Sequence, residues 1–394
     1  MKKLQLFLSA IFLTLSFGLA QTGYARTDDY TVKPIIPENQ SNKDLGYFDI
    51  LLGADKEQTL QVELSNNTEQ EIKIDVTLSS AVTNMTGLVV YEPTEIVADS
   101  SLKYNLKDYV NTPKVVTLPP LTRQKLDLKV KMPNEAFDGQ IAGGITFSKE
   151  GQNDKEEDSE GITVKNTYSY TIALLMRQND NEVSPDLKLK TVSPSQINGR
   201  NVINVNLQNP TMTYINTMNV KATISGISNT DIKYTYSNSM MQMAPNTSFD
   251  LPIPTSNQSA ATRVSEPLKP GKYRLQLVVN ARTDNQGKYE AQVDNKTARY
   301  KYQWTFDQEF TISDNQAQKL NDSDPTVKKE KDWTWRLFVI GILLLVLFLI
   351  ILLWKRRKKS QKEEEEKQAL REKIEAQEKI IDDLNKKRSL FTSK

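Results

Sequence analysis

Two aspartates stand where a carboxylate pair could do acid–base work. Asp49 follows Tyr47-Phe48, and Asp138 follows Phe137. Hydrolysis of a glycan needs two carboxylates flanking the glycosidic bond, one as general acid and the other as base or nucleophile. The plainer reading is that each aspartate ends or caps a turn beside a core phenylalanine, and we adopt it. The run from Asp154 to Glu160 has enough charge to hold calcium but lacks the alternating aspartates and glycine of a calcium loop. Other reactive chemistry is missing. The 394 residues contain no histidine and no cysteine. That removes the usual general base, the Ser-His-Asp triad, thiol catalysis and the commonest zinc ligands. Ile141-Ala142-Gly143-Gly144 is not followed by Lys-Ser or Lys-Thr, so it is no phosphate-cradling loop. The expectation is a chain that is not an enzyme and takes no cofactor or metal.

What remains is chemistry of contact. Tyr47 with Phe48, or Tyr168 with Tyr170, could stack on sugar rings. Met240, Met241 and Met243 could form an adaptable contact surface, or equally fill a gap between sheets. Core packing is the alternative for each aromatic. The candidate binding residues are therefore Tyr47, Phe48, Asp49, Asp138, Met241 and Met243.

The elements that must position them read mostly with period two. Leu60, Val62 and Leu64 alternate with Gln61 and Glu63. Ile72, Ile74, Val76 and Leu78 alternate with polar residues, as do Leu126, Leu128 and Val130. Such alternation puts one face on a core and one in water, as in an antiparallel sheet. Asn66-Asn67-Thr68-Glu69 between the first two runs is a turn signal and predicts a hairpin joining them. The same grammar returns after Pro185, in Ile203-Val205-Leu207, Val220-Ala222-Ile224 and Tyr273-Leu275-Leu277-Val279. Turns are marked at Asn198-Gly199, Asn209-Pro210 and Pro270-Gly271.

The expected fold is an all-β exterior of two tandem immunoglobulin-like β-sandwiches, followed by one transmembrane α-helix and a short helical cytoplasmic tail. The first module is expected over 30–178 and the second over 185–313. The charged stretch 149–161 is placed as a hairpin loop inside the first module, although a boundary near 150–160 is the other choice. Residues 314–332 lack periodicity and read as a flexible stalk.

The ends of the chain set its topology. Met1 to Ala25 has a lysine-led start, an apolar stretch from Leu4 to Ala20 and small residues at Gly23 and Ala25, the pattern of a secretory signal. Leu337 to Trp354 (anchor 336–354) has no charge and spans about 27 Å as a helix, close to the hydrocarbon core of a bilayer. Trp333, Trp335 and Trp354 sit at its ends, where such rings favour the headgroup layer, and Lys355, Arg356 and Arg357 open a basic run that stays cytoplasmic. The expectation is a type I protein, large outside and short inside.

Charge fits that division. Residues 355–394 carry 14 Lys or Arg and 9 Asp or Glu, whereas residues 26–336 carry 35 basic and 40 acidic residues. A mildly acidic exterior argues against nucleic acid as a partner. An exterior of this size without cysteine suggests a bacterial surface rather than a secreted eukaryotic one. In the tail, Leu370, Ile374, Gln377, Ile381 and Leu384 recur at 4-3-4-3 spacing. That seam serves a weak membrane-tethered coiled coil or a solvated single helix.

Gly46-Tyr47-Phe48-Asp49, Asn66-Asn67, Met132-Pro133, Phe137-Asp138-Gly139 and Ile141-Ala142-Gly143-Gly144-Ile145 occur in this order in the first module. The second has Asn198-Gly199-Arg200-Asn201, Leu207-Gln208-Asn209-Pro210, Met241-Gln242-Met243-Ala244-Pro245-Asn246 and Pro270-Gly271-Lys272-Tyr273. With the terminal span and basic tail, this set resembles the WxL-interacting proteins of Gram-positive bacteria. The resemblance implies a peptidoglycan-binding first domain, a second domain that binds host or matrix proteins, and partnership with secreted WxL-domain proteins. Trp335-Arg336-Leu337 spells W-x-L but reads as an interfacial anchor. The leading expectation is a membrane-tethered surface scaffold. A sensor signalling through the tail is the alternative, and a wall-active enzyme comes third.

Overall fold

The computed structural model describes residues 28–40, 42–151, 168–256, 265–328 and 334–391. The expected signal segment and most of the acidic stretch lie outside the described residues. The described residues divide into two compact units, one ending at Lys328 and one beginning at Lys329.

In the first unit the strands run β1 (Tyr30–Ile35), β2 (Phe48–Leu51), β3 (Glu57–Asn66), β4 (Ile72–Ser80), β5 (Val82–Thr83), β6 (Val89–Val90), β7 (Val110–Asn111), β8 (Val115–Leu118), β9 (Arg123–Lys131), β10 (Gln140–Lys149) and β11 (Ser169–Arg177). They form a sheet ordered β1-β3-β9-β7, a sheet ordered β2-β11-β10-β4-β8, and the small pair β5-β6. The two larger sheets face each other over one core that includes Leu60, Val62, Leu64, Ile74, Leu128, Ile145, Phe147 and Leu174. The period-two pattern dictates this. On β9, Leu126, Leu128 and Val130 turn inward while Lys125, Asp127 and Lys129 face water. Each buried Leu or Val side chain contributes roughly 1.5–3 kcal/mol.

Three features depart from the sequence reading. Strands β3 and β4 do not form a hairpin: β3 pairs with β1 and β9 in one sheet, and β4 with β10 and β8 in the other. The chain crosses from sheet to sheet at Asn66. That residue's amide donates to the carbonyls of Gln70, Leu118 and Pro119 at 2.7–3.0 Å, and its Oδ1 accepts from the Thr68 N–H. Antiparallel pairing is also not universal, since β2 runs parallel to β11.

Further along, β12 (Lys188–Ile197), β13 (Arg200–Asn209), β14 (Ile215–Gly226), β15 (Lys233–Met243), β16 (Thr247–Pro254), β17 (Gly271–Thr283), β18 (Tyr289–Val293) and β19 (Lys296–Ile312) build a second pair of sheets, ordered β12-β13-β16 and β15-β14-β17-β19-β18. Val205, Leu207, Val220, Leu251, Leu275 and Leu277 are central to its core. The corner between β13 and β14 repeats the earlier device. Asn209 donates to the carbonyls of Thr213 and Ala244 at 2.7 and 2.9 Å and accepts from the Thr211 N–H.

The third departure is the expected stalk. Helix α1 (Asp314–Ser323) begins on a capping box, with Ser313 Oγ accepting from the Gln316 N–H and Gln316 Oε1 accepting from the Ser313 N–H. Ala317 and Leu320 pack on the second core. The Asp324 carboxylate is buried and accepts from the backbone N–H groups of Asn201 and Thr326 at 3.0 and 2.8 Å. Residues 314–328 thus belong to the second module. They lack strand periodicity because their few apolar residues are spaced for one side of a short helix.

The second unit is helix α2 (Thr334–Phe391). Its most apolar 18-residue window has a mean hydropathy of 3.4, and none of that window is buried against protein. Lys358 Nζ lies 5.3 Å over the Trp354 ring.

Candidate functional site

The first module presents β5-β6 and their flanks to the second. Thr83 and Thr247, one from each, have hydroxyls 2.7 Å apart and buried. Thr83 Oγ1 also accepts from the Ala244 N–H at 3.0 Å. Nearby, Gln242 N–H donates to the Gly87 carbonyl at 2.7 Å, and Gln140 N–H to the Met212 carbonyl at 2.8 Å. Ala81, Ala142 and Ala244 form a small apolar seam between them. Asp99 receives the Gln208 amide across the junction at 2.7 Å. Burial pushes the Asp99 carboxyl up, but its hydrogen bonds with Ser101, Ser248 and Gln208 outweigh this and hold it below its ordinary value.

Beside that seam is a cleft of about 320 Å³, lined in part by Arg177, Asp180, Glu182, Tyr214, Arg282 and Tyr302. Its charges are satisfied internally. Glu182 receives Arg282 at 2.5 Å and Lys301 at 2.7 Å. Arg177 joins Asp49 at 3.1 Å and also pairs with Asp180. Hydrogen bonding and charge from Lys301 and Arg282 hold the Glu182 carboxyl below its ordinary value.

The sequence-selected residues go to several places. Phe48, Met241 and Met243 are buried, so they form core rather than a contact surface. Their pattern is that of inward-facing strand positions, which period two already assigns to a core. Met241 packs against Gly87, where an added Cβ would overlap its side chain. Tyr47 is half-buried, and its carbonyl accepts from Gln40. Asp49 forms the largely buried pair with Arg177. Asp138 is exposed and accepts from the amides of Asn179 and Asn181. The two aspartates therefore flank the segment 177–181, each tied to it by a neighbour. Trp335, Trp354, Lys355, Arg356 and Arg357 all lie on α2. Among the described residues, no group of three acidic ligands is placed to hold a metal ion. Arg177 was not singled out in the sequence; its position at the end of β11, two residues beyond Leu175, the register partner of Asp49 on the parallel β2, needs the fold.

The outer face of β4, β10 and β11 carries a different site. Thr77, Thr146 and Thr171 lie side by side in register, and so do Asp75, Ser148 and Ser169. The Thr146 and Thr171 hydroxyls are 2.9 Å apart. These rows open into a groove of about 890 Å³, walled by Glu92, Lys107, Asn111, Thr112 and Lys114.

Comparison with known proteins gives two family matches in tandem. Residues 30–149 match the model described as WxL Interacting Protein, peptidoglycan binding domain. Residues 159–322 match WxL Interacting Protein, host binding domain. Strand β11 falls within the second match, yet it pairs along its whole length with β10 of the first module. No curated protein matches the chain. Among solved structures it is similar to the class 5 fimbriae chaperone CfaA, at 12% identity over 71% of this chain and 98% of that one, with a TM-score of 0.26. The Pseudomonas aeruginosa CupB2 chaperone gives 12% identity, 66% and 96% coverage and a TM-score of 0.25. The E. coli chaperone DraB gives 14% identity, 59% and 90% coverage and a TM-score of 0.23. The two matched models are binding domains for the wall polymer and for host molecules, which gives the chain a binding role at the cell surface. Matched in tandem from residue 30 to residue 322, this chain belongs to the WxL-interacting protein family.

Proposed function

We propose that the protein is a single-pass, type I membrane scaffold whose two immunoglobulin-like modules hold secreted WxL-domain proteins against the wall. The first module contacts peptidoglycan and the second a host matrix protein. The observation that carries this reading is the order of parts: a wall-binding match, a host-binding match, then an uncharged apolar helix. Aromatic residues at both ends of the apolar stretch and the basic run after it support membrane insertion with the tail in the cytoplasm. Absence of histidine and cysteine throughout, and the ion-paired state of Asp49, support work by contact and not by reaction. Residues 30–178 and 185–328 are the two working parts under this reading, with residues 1–25 removed on export.

Detergent-solubilised full-length protein should retain a purified WxL-domain protein on an affinity column. Protease added to whole cells should remove the β modules and leave a membrane-bound fragment bearing the lysine-rich end. Failure of folded protein to retain any WxL-domain protein would sink the scaffold reading. Survival of the β modules in intact cells would sink the topology.

A further inference from the structure

The outward face of β4, β10 and β11 is built almost entirely from small side chains. Three cross-strand rows lie in register: Ser79-Gly144-Ala173, Thr77-Thr146-Thr171 and Asp75-Ser148-Ser169. The first row is covered. Ser79 Oγ donates to the Tyr91 carbonyl at 3.0 Å, and a Cβ on Gly144 would come within 2.9 Å of the Tyr91 Cβ. Its small residues are therefore explained by the segment packed above them.

In the other two rows only Thr146, on the central strand, is buried; Thr77, Thr171 and Ser169 are exposed and Asp75 and Ser148 partly so. Of these rows Thr77, Thr146, Asp75, Ser148 and Ser169 line the floor of the groove of about 890 Å³, between Glu92-Pro93 on one side and Val110 to Val115 on the other. Outward positions on a strand normally carry long polar or charged side chains, as Lys125, Asp127 and Lys129 do on β9. Here they carry hydroxyls, one carboxylate and nothing longer. A floor of short hydroxyls lets a flat ligand lie close to the sheet and exchange hydrogen bonds along it.

The walls add polar reach. Asn111 contributes an amide; the Thr112 hydroxyl beside it is enclosed and has no hydrogen-bond partner. Lys107, Lys114, Asp75 and Glu92 line the groove without forming an ion pair among the described residues. Other surface charges of this module do pair, as in Lys73–Glu150, Lys103–Glu135 and Lys149–Asp29. A polymer of N-acetylated amino sugars offers hydroxyls and amides to such a floor. Its peptide stems carry both carboxylates and amines, which match walls that hold both signs of charge.

We infer that this trough over β4, β10 and β11 is where the first module holds the glycan strand of peptidoglycan. The inference rests on the peptidoglycan reading of that module and adds the place and the residues. Thr77, Ser148 and Asn111 contact the sugars, and Lys107 and Lys114 meet the carboxylates of the stems.

The test is co-sedimentation of the full-length protein, in detergent, with purified peptidoglycan sacculi. Thr77→Arg puts a long side chain across the floor, and Asn111→Ala with Lys114→Ala strips one wall without blocking it. Thr235→Arg, beside a separate groove of about 750 Å³ on the second module, is the control. Thr77→Arg and the wall variant should each weaken binding at least about tenfold. Thr235→Arg should bind like the parent chain. Normal binding by the wall variant, with an unchanged melting curve, overturns the trough while leaving peptidoglycan binding in place. Failure of the parent chain to sediment overturns both the trough and the reading beneath it.

Discussion

Thr83 and Thr247 are 164 residues apart in sequence, yet their hydroxyls meet at 2.7 Å in a buried seam between the two modules. The contact is polar and enclosed, and it sits among other hydrogen bonds across the junction, from Gln242 N–H to the Gly87 carbonyl and from the Gln208 amide to Asp99. Thr83 Oγ1 simultaneously accepts from the Ala244 N–H, so one hydroxyl serves two partners from the second module. A buried polar group left without a partner costs about 1–3 kcal/mol. The modules are therefore held in one arrangement by a contact that is expensive to open.

Thr83→Val keeps the shape and removes the hydroxyl. It strands the Ala244 N–H and should lower stability by about 1–3 kcal/mol. Thr83→Ser restores the hydroxyl and should recover most of the loss. Scanning calorimetry of both variants checks this. An unchanged transition for Thr83→Val would mean that the seam contributes nothing to stability.

Asn66 and Asn209 plug equivalent corners in the two modules. Each begins an Asn-x-Thr triplet, donates to carbonyls on either side of the crossing, and accepts from a threonine N–H two residues later. Alanine at either position removes donors from buried carbonyls, with a loss on the order of 2–3 kcal/mol. Aspartate should be worse than alanine, because a carboxylate would face carbonyl oxygens. Urea titration of the four single variants gives the ranking.

Gly139 has a φ of +91, and a Cβ there would overlap the Met212 carbonyl of the second module. Gly199 also has a positive φ, +73, but its nearest neighbour, Pro325 Cδ, is 3.7 Å from an added Cβ. Gly199→Ala should cost about 1 kcal/mol in backbone strain alone. Gly139→Ala should cost more, on the order of 1–3 kcal/mol beyond that, by separating the modules at the Gln140–Met212 hydrogen bond. Equal melting temperatures for the two variants would remove the steric argument.

Acid should loosen the end of the second module. Burial pushes the Asp324 carboxyl up, but hydrogen bonds from Thr326 and the Asn201 backbone outweigh it and hold the group below its ordinary value. A carboxyl depressed in the folded state stabilises above its unfolded value, about 3.9, and loses that contribution as pH falls through the folded value. Stability measured between about pH 5 and pH 2 should fall in the parent chain and less steeply in Asp324→Asn. Parallel profiles would show that Asp324 does not carry the effect.

The sequence alone settled which residues face inward along each strand, because period two is a property of a single extended chain. It also marked the uncharged helix from Leu337 to Trp354, since length and apolarity need no tertiary partner. The order of motifs from Gly46 to Tyr273 was enough to indicate the family that the tandem matches then established.

Alternation does not name a strand's neighbour. Hence β3 and β4, adjacent in sequence and joined by a turn, could be read as a hairpin although they lie in opposite sheets. Ser313-Asp314-Asn315-Gln316 carried the capping-box signal of α1, but a short helix gains most of its stability from the surface it docks on, here the core beneath Ala317 and Leu320. For Met241 and Met243 the sequence left a contact surface and a filler between sheets equally open, and only the closure of two sheets over them decides for the filler. The threonine and serine rows of β4, β10 and β11 come from segments up to about ninety residues apart, and only their register makes a floor. Sheet pairing is a nonlocal choice made by hydrogen bonds between distant backbones, and the site exists only once that choice is made.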